Sequence, residues 1–205
     1  LENILKAKVG SDYFVGVGEA AFYGPKIDFM AKDAIGREHQ VATIQLDFNQ
    51  PEGFDLTCTN EQGESERIIM LHCAVMGSHE RFLSVYIEHT AGKFPVWNAP
   101  EQIRLLTVNQ TDELVNFAEK VRLEAFDMGL RVTVDNNNDS VGKKIRNAEK
   151  MKVPYVIVIG EQEASTGQTT PRVRSDMVIK EPTPIGIDHF LKTVANEAKS
   201  RTSHT

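Results

Sequence analysis

The chain has 205 residues, 40% of them apolar and 25% charged, with a formal net charge of −6. That length suffices for one large or two small globular domains whose cores need no staples. The acidic balance excludes a protein that grips polyanions by bulk charge, so any nucleic-acid contact has to come from a local basic patch. Two cysteines, Cys58 and Cys73, make neither a disulfide framework nor a metal cluster, no long apolar run predicts a membrane span, and no secretory leader pattern is seen. The expectation is a cytoplasmic protein. The first residue is Leu1 rather than Met, which reads as a chain trimmed from a longer one.

In chain order, residues 1–100 read as strands with one late helix. Gly24-Pro25 predicts a turn and Ile27-Asp28-Phe29 the start of a strand, so Tyr23 and Lys26 stand at the strand's mouth. His39 to Phe48 alternates, with Val41, Thr43, Gln45 and Asp47 on one face and Gln40, Ala42, Ile44, Leu46 and Phe48 on the other. Pro51 and Gly53 close it. Residues 60–66 read as a polar loop and Arg67 to Val75 as a strand. Gly77-Ser78 opens a helix in which Ser78 is the N-cap and Phe82, Val85, Tyr86 and His89 share a face. Phe94-Pro95-Val96-Trp97-Asn98-Ala99-Pro100 reads as a joint, because two prolines around the single tryptophan break regular structure. Domains are therefore placed at 1–98 and 99–205.

Residues 101–205 change rhythm. Ile103 to Asn109 is a strand, and Thr111 caps a helix to Met128 whose buried stripe is Leu114, Phe117, Ala118, Val121 and Ala125. Leu130 to Val134 is a strand, Asp139 or Ser140 caps a basic helix to about Met151, and Pro154 to Ile159 is a central strand. A hairpin around Gly167 leads to Arg172-Val173-Arg174, and a last helix runs from about Asp188 to Arg201. Alternating strand and helix predicts a mostly parallel sheet. The fold class is α+β followed by α/β.

Taken singly, the chemical motifs read as structure. Tyr23 and Lys26 suit a solvated turn. Gln40, Thr43 and Gln45 suit a polar edge strand. His72 beside Cys73 lacks the three or four donors that zinc needs. Arg81 is the exception, because an arginine in the first turn of a helix opposes the macrodipole and points to an anion such as phosphate. Lys143, Lys144, Arg146, Lys150 and Lys152, with Arg172 and Arg174, make a local basic patch that suits either phosphate contact or a solvated helix face.

Together and in this order, the blocks from Gly18 to Phe29, Gln40 to Phe48, Met70-Leu71-His72 and Gly77 to Phe82 resemble the C-terminal half of the catalytic domain of the threonyl-tRNA synthetase family. Phe94 to Pro100 resembles its hinge, and Asp135 to Glu149 with Pro154 to Arg174 resembles its anticodon-binding domain. The resemblance implies a partial class II antiparallel sheet followed by a mixed, mostly parallel sheet. It implies a threonine–tRNA ligase that forms threonyl adenylate from threonine and ATP with Mg2+ and passes the threonyl group to threonine tRNA.

Carried over by position, Tyr23, Gln40, Thr43 and Gln45 line the threonine and adenylate pocket, together with Lys26. Ser78 lies near the adenosine, and Arg81 matches the motif-three arginine that binds ATP phosphate. Lys26 and Arg81 are thus the expected catalytic cations. His72 matches one ligand of a Zn2+ that binds threonine's hydroxyl and so rejects the isosteric valine. Asn138, Glu163 and Arg172 match positions that read anticodon bases, a task suited to an amide, an acid and a guanidinium. The other two zinc ligands and the first two class II motifs do not occur in this stretch. The 205 residues are accordingly expected to be inactive alone, and monomeric where the family is homodimeric. His39, Val41-Ala42 and Cys73 depart from the family pattern, with Ala42 expected to narrow the pocket floor. These departures favour an alternative, a non-catalytic RNA-binding or regulatory protein of the same fold.

Overall fold

The alternating run at 38–47 becomes the central strand of an antiparallel sheet in the computed structural model, which describes residues 1–177 and 183–201. The chain divides into two units, residues 1–89 and the residues from 90 onward. In the first, α1 (Glu2–Val9) is followed by β1 (Lys26–Lys32), β2 (Glu38–Asp47), α2 (Asn49–Gly53), β3 (Thr57–Thr59), β4 (Ser65–Arg67), β5 (Met70–Ala74) and α3 (His79–Thr90). The sheet order is β1-β2-β5, and β3 pairs β4 as a separate hairpin. Asp33 closes the β1–β2 turn, with Oδ1 accepting from the backbone N–H groups of Ile35 (3.1 Å) and Arg37 (2.8 Å). Its Oδ2 meets Arg37 Nε at 2.5 Å and His39 Nε2 at 3.0 Å.

Two expectations for this unit are corrected. The polar loop at 60–66 is the turn and second strand of the β3–β4 hairpin, and Arg67 belongs to β4 rather than to the strand that follows. Pro51 and Gly53 do not merely stop β2; they sit in α2, where Pro51 is buried. Proline is tolerated there because the first turn of a helix has spare N–H groups. Among the described residues of this unit only Asp47 and Pro51 are fully buried, and Phe22, Val17 and Val75 are 90%, 93% and 78% exposed.

The second unit begins with a 3-10 helix, Val96–Asn98, in the joint segment. Val96 is buried in the core of this unit with Ile103 and Leu191, so residues 90–98, placed with the first domain above, fall in the second unit. Then come β6 (Ile103–Thr107), α4 (Asp112–Asp127), β7 (Val132–Asp135), α5 (Val141–Lys150), β8 (Tyr155–Ile159), α6 (Glu161–Thr166), β9 (Gln168–Thr169), β10 (Arg172–Val173), β11 (Ile185–Gly186) and α7 (Ile187–Ser200). The main sheet has the order β10-β8-β6-β7; β6 pairs parallel with both β7 and β8, and β10 is antiparallel. Apolar layers cover both faces: Leu105, Leu114, Ile157 and Leu191 lie in one, and Leu106, Ala148 and Val156 in the other. This two-sided burial is why β8 reads as a continuous apolar run. Ser140 caps α5, its Oγ accepting from Lys143 N–H at 3.4 Å. Gly167 is not a hairpin turn. It ends α6 in the left-handed region at φ 65°, which glycine enters without strain, and β9 then pairs β11.

Candidate functional site

Register across the first sheet aligns Lys26 with Gln45 and Gln45 with His72, and sets Asp28 opposite Thr43. Side chains paired in this way share a face. The strict alternation read from sequence puts Gln40 on the other face, and the structure corrects this. The pairing runs Phe29 to Ala42 and then Met30 to Gln40, leaving Val41 as the extra residue of a β-bulge. The bulge turns Gln40 to the face of Thr43 and Gln45. It also leaves Ala42 opposite Phe29, away from that face, so Ala42 does not narrow the floor on which those residues stand.

Asp28 organises the cluster. Its Oδ2 takes Lys26 Nζ at 2.5 Å, and its Oδ1 accepts from Gln40 Nε2 at 2.7 Å and Thr43 Oγ1 at 2.6 Å. Burial pushes the Asp28 carboxyl up, but Lys26, Thr43 and Gln40 outweigh it and hold the group below the usual carboxylate range. The hydrogen bond to Asp28 in turn holds the Lys26 ammonium above its ordinary range, against the opposing effect of burial.

A second row runs beside it. Tyr23 Oη donates to Gln45 Oε1 at 2.6 Å, and the Tyr23 and His72 rings meet edge to face at 5.9 Å. His72 Nε2 lies 2.8 Å from Asp47 Oδ2. Asp47, 0% exposed, also accepts from the backbone N–H groups of Asn49 and Gln50, both at 2.9 Å on Oδ1. Burial raises the Asp47 carboxyl, while His72 and the two amides outweigh that and lower it. Gly24 lets the Tyr23 segment approach β2. At φ 153° a Cβ there would stand 2.3 Å from the Leu46 carbonyl oxygen, so no side chain fits.

No group of three His, Cys, Asp or Glu that could hold a metal occurs among the described residues. With Nε2 engaged by Asp47, His72 has only Nδ1 to offer. The described residues therefore do not make a zinc site by themselves. An open cavity of about 540 Å³ flanks Tyr23, lined also by Phe22, Pro25, Phe48, Asn49 and Glu52, but none of the Asp28 cluster lines it.

Ser78 and Arg81 open α3. Ser78 Oγ accepts from Arg81 N–H at 3.2 Å, so the serine caps the helix as expected. The Arg81 side chain is exposed, and no ion pair to it occurs among the described residues. A Cβ on Gly77 would stand 3.4 Å from Gln40 O and 3.7 Å from Val41 O, which places the start of α3 against the bulge. The other family departures lie off the cluster. His39 is tied to Asp33 in the turn, and Cys73 is exposed beside His72, on the alternate face of β5.

Acid should loosen this unit. A carboxylate held below its unfolded value contributes stability that is complete above that value, about 4, and is lost as pH falls through the folded value. Asp47 and Asp28 both have this sign. Thermal melts of the chain from about pH 7 to about pH 3 are expected to fall more steeply for wild type than for Asp47→Asn, which keeps the acceptor for the two amides but has no charge to lose. Parallel pH slopes would refute the assignment.

In the second unit, Asn138 lies in the loop after β7 and Glu163 in α6 after β8, both at the carboxyl ends of parallel strands. Asn138 is exposed. Glu163 is half-buried, and its Oε2 accepts from Gly160 N–H at 3.0 Å, capping α6. Arg172 pairs with Val156, three residues before the end of β8 and so about 10 Å below that edge, with its side chain exposed. The basic patch is smaller than the sequence suggests. Lys144 is 1% exposed. Arg174 is turned inward, donating to Lys152 O at 2.6 Å and Phe94 O at 2.8 Å, with Asp176 at 2.6 Å. Arg146 and Lys150 remain exposed.

Sequence reasoning missed Asp28 and Asp47 as the anchors of the first cluster. The available signal was period two: Asp28 stands two residues from Lys26, and Asp47 two from Gln45.

Residues 3–90 match the model of the tRNA synthetase class II core domain (G, H, P, S and T), and residues 102–197 match that of the anticodon binding domain. The chain is 49% identical over 173 residues to a protein of Gloeobacter violaceus named threonine–tRNA ligase, covering 83% of this chain and 27% of that protein. A protein of the same name from Thermotoga maritima is 43% identical over 201 residues, 98% of this chain and 30% of its own length. The RNA binding domain of threonyl-tRNA synthetase from Cryptosporidium parvum superposes with a TM-score of 0.81 at 36% identity, over 96% of this chain and 49% of that one. The chain thus spans under a third of the length of the curated relatives it matches. A class II core segment followed by an anticodon-binding domain, matched over 98% of its own length to a threonine–tRNA ligase, places this chain in the threonyl-tRNA synthetase family.

Proposed function

We propose that residues 1–205 form one wall of a threonyl-adenylate pocket and the anticodon-reading end of a threonine–tRNA ligase. The observation that carries this reading is the gathering of Tyr23, Lys26, Gln40, Thr43, Gln45 and His72 on one sheet face around Asp28 and Asp47. In this reading ATP arrives with Mg2+, the threonine carboxylate attacks the α-phosphorus, and pyrophosphate leaves. Lys26 and Arg81 supply the positive charge that offsets what develops on the phosphates, and Asp28 aims the Lys26 ammonium. Tyr23, Gln40, Thr43 and Gln45 orient threonine and the adenylate by hydrogen bonds, and Ser78 stands beside the adenosine. The family departures sit off this face, which favours ligase activity over the non-catalytic alternative.

The test exchanges this stretch into the Thermotoga maritima relative, which it matches over 201 residues. The chimaera is expected to show threonine-dependent ATP–pyrophosphate exchange and to charge threonine tRNA, whereas the 205 residues alone show neither. A folded chimaera that binds tRNA without exchange supports the non-catalytic alternative. Exchange by the isolated chain overturns the one-wall reading.

Asn138, Glu163 and Arg172 read the anticodon in this proposal, with Arg146 and Lys150 adding phosphate contacts. Arg172→Ala is expected to weaken binding of threonine tRNA to the 205-residue chain several-fold. The slope of log affinity against log salt should fall by up to about one unit if the guanidinium also touches phosphate. Filter-binding affinity unchanged by the substitution removes Arg172 from the interface.

A further inference from the structure

Lys144 is a buried cation whose hydrogen-bond partners among the described residues are all backbone carbonyls. Its Nζ donates to Thr107 O at 2.8 Å and Asp135 O at 3.2 Å, and the residue is 1% exposed. A buried ammonium is costly unless its donors are used, and an apolar side chain would pack there without that cost. The two carbonyls belong to the last residues of β6 and β7, which are hydrogen-bonded neighbours in the sheet. Lys144 therefore ties together the carboxyl ends of two parallel strands at the point where the chain leaves β7 for the loop 136–140.

That loop is held at further points. Gln110 Nε2 donates to Asn136 O at 2.8 Å, and Asp135 Oδ1 accepts from Asn137 N–H at 3.2 Å and Nδ2 at 3.0 Å. Lys143 Nζ reaches Asp139 Oδ1 at 2.7 Å. Between these ties Asn138 is exposed, and its amide has no partner among the described residues. A loop restrained on both sides of one free amide has already lost the conformational freedom that binding would otherwise cost.

We infer that Lys144, together with Gln110, is a positioning residue that holds the 136–140 loop in the geometry by which Asn138 reads a base in single-stranded RNA. The inference rests on the anticodon reading proposed above. Neither Lys144 nor Gln110 touches the RNA. Their contribution is to sequence discrimination through Asn138.

The experiment measures affinity of the 205-residue chain for a synthetic RNA hairpin carrying a threonine anticodon, and for hairpins with each anticodon base replaced. Wild type is expected to discriminate by about tenfold or more at the base that Asn138 reads, and Asn138→Ala to abolish this. Lys144→Met, which keeps the stem and removes the donors, should lose the same discrimination, and Lys144→Arg should recover part of it. The double variant Lys144→Met/Asn138→Ala should be no worse than Asn138→Ala, because both act on one contact. Lys144→Met that melts earlier yet discriminates like wild type overturns the inference. If Lys144→Met does not fold, Gln110→Ala decides: about a threefold loss of discrimination is expected from one hydrogen bond, and no loss overturns it. Wild-type chain that fails to discriminate at all overturns the anticodon reading and this inference together. Loss with Asn138→Ala but not with Lys144→Met overturns the inference alone.

Discussion

Asp28→Ala, made in the chimaera that carries residues 1–205, is expected to lower kcat/KM for threonylation about a thousandfold. One carboxylate accepts from Lys26, Gln40 and Thr43, so its removal frees all three at once. Lys26 loses the partner that keeps its ammonium above the ordinary range. Gln40 loses the bond that fixes its amide on the bulge. Misplacing positioning groups by about 1 Å already costs on the order of a hundredfold in rate, and loss of charge placement adds to it. Asp28→Asn is expected to fall between wild type and Asp28→Ala, because its carbonyl oxygen still accepts from Gln40 and Thr43 while the ion pair is gone. The Asp28 side chain is 23% exposed, so either variant should fold. Steady-state kinetics of the three chimaeras check the order. Asp28→Ala within about threefold of the parent would falsify the anchoring role.

The second large effect is on stability. Leu105→Ala should destabilise the second unit by about 3 kcal/mol, a large part of the roughly 5–15 kcal/mol that holds a domain together. Leu105 is 0% exposed at the middle of β6, paired with Val134 on one side and Ile157 on the other, and lies in the core that α4 and α7 cover. A site enclosed by strands on both flanks and helices above cannot collapse onto the missing methyl groups, so the cavity remains. Trp97, the only tryptophan, sits in the 3-10 helix of the same unit and reports its unfolding by fluorescence. In denaturant the midpoint should fall without a change in slope, whereas Leu105→Met, which conserves volume, should cost under about 1.5 kcal/mol. Equal midpoints for the two variants would show that the core repacks.

The sequence by itself determined the order of elements from β6 to β8 and the presence of α7, but not α6, β9 or β11, because it read a hairpin around Gly167. The strand and helix periods, the helix starts at Thr111 and at Asp139 or Ser140, and the stripe Leu114, Ala118, Val121 and Ala125, with Phe117 half-buried beside it, were legible, because each is a local relation between neighbouring residues. Of the two α5 candidates the structure caps the helix with Ser140, whereas Thr111 stands at the start of α4 without a side-chain cap bond. It also placed β1, β2, β5 and α3 and, through the family resemblance, singled out Tyr23, Lys26, Gln40, Thr43, Gln45 and His72.

The tertiary structure decided which of those residues share a face. The bulge at Val41 exists only in the pairing of β2 with β1, and it carries Gln40 across to Thr43 and Gln45 against the alternation read along the strand. The anchoring roles of Asp28 and Asp47 depend on partners from other strands or turns, and Lys144 moves from a supposed surface patch to an interior clamp because β6 and β7 end beside it. Periodicity is set by the backbone of one segment, whereas register and burial are set by what a second segment places opposite. That is why the elements could be read from the chain alone and the hydrogen-bond networks that organise the site could not.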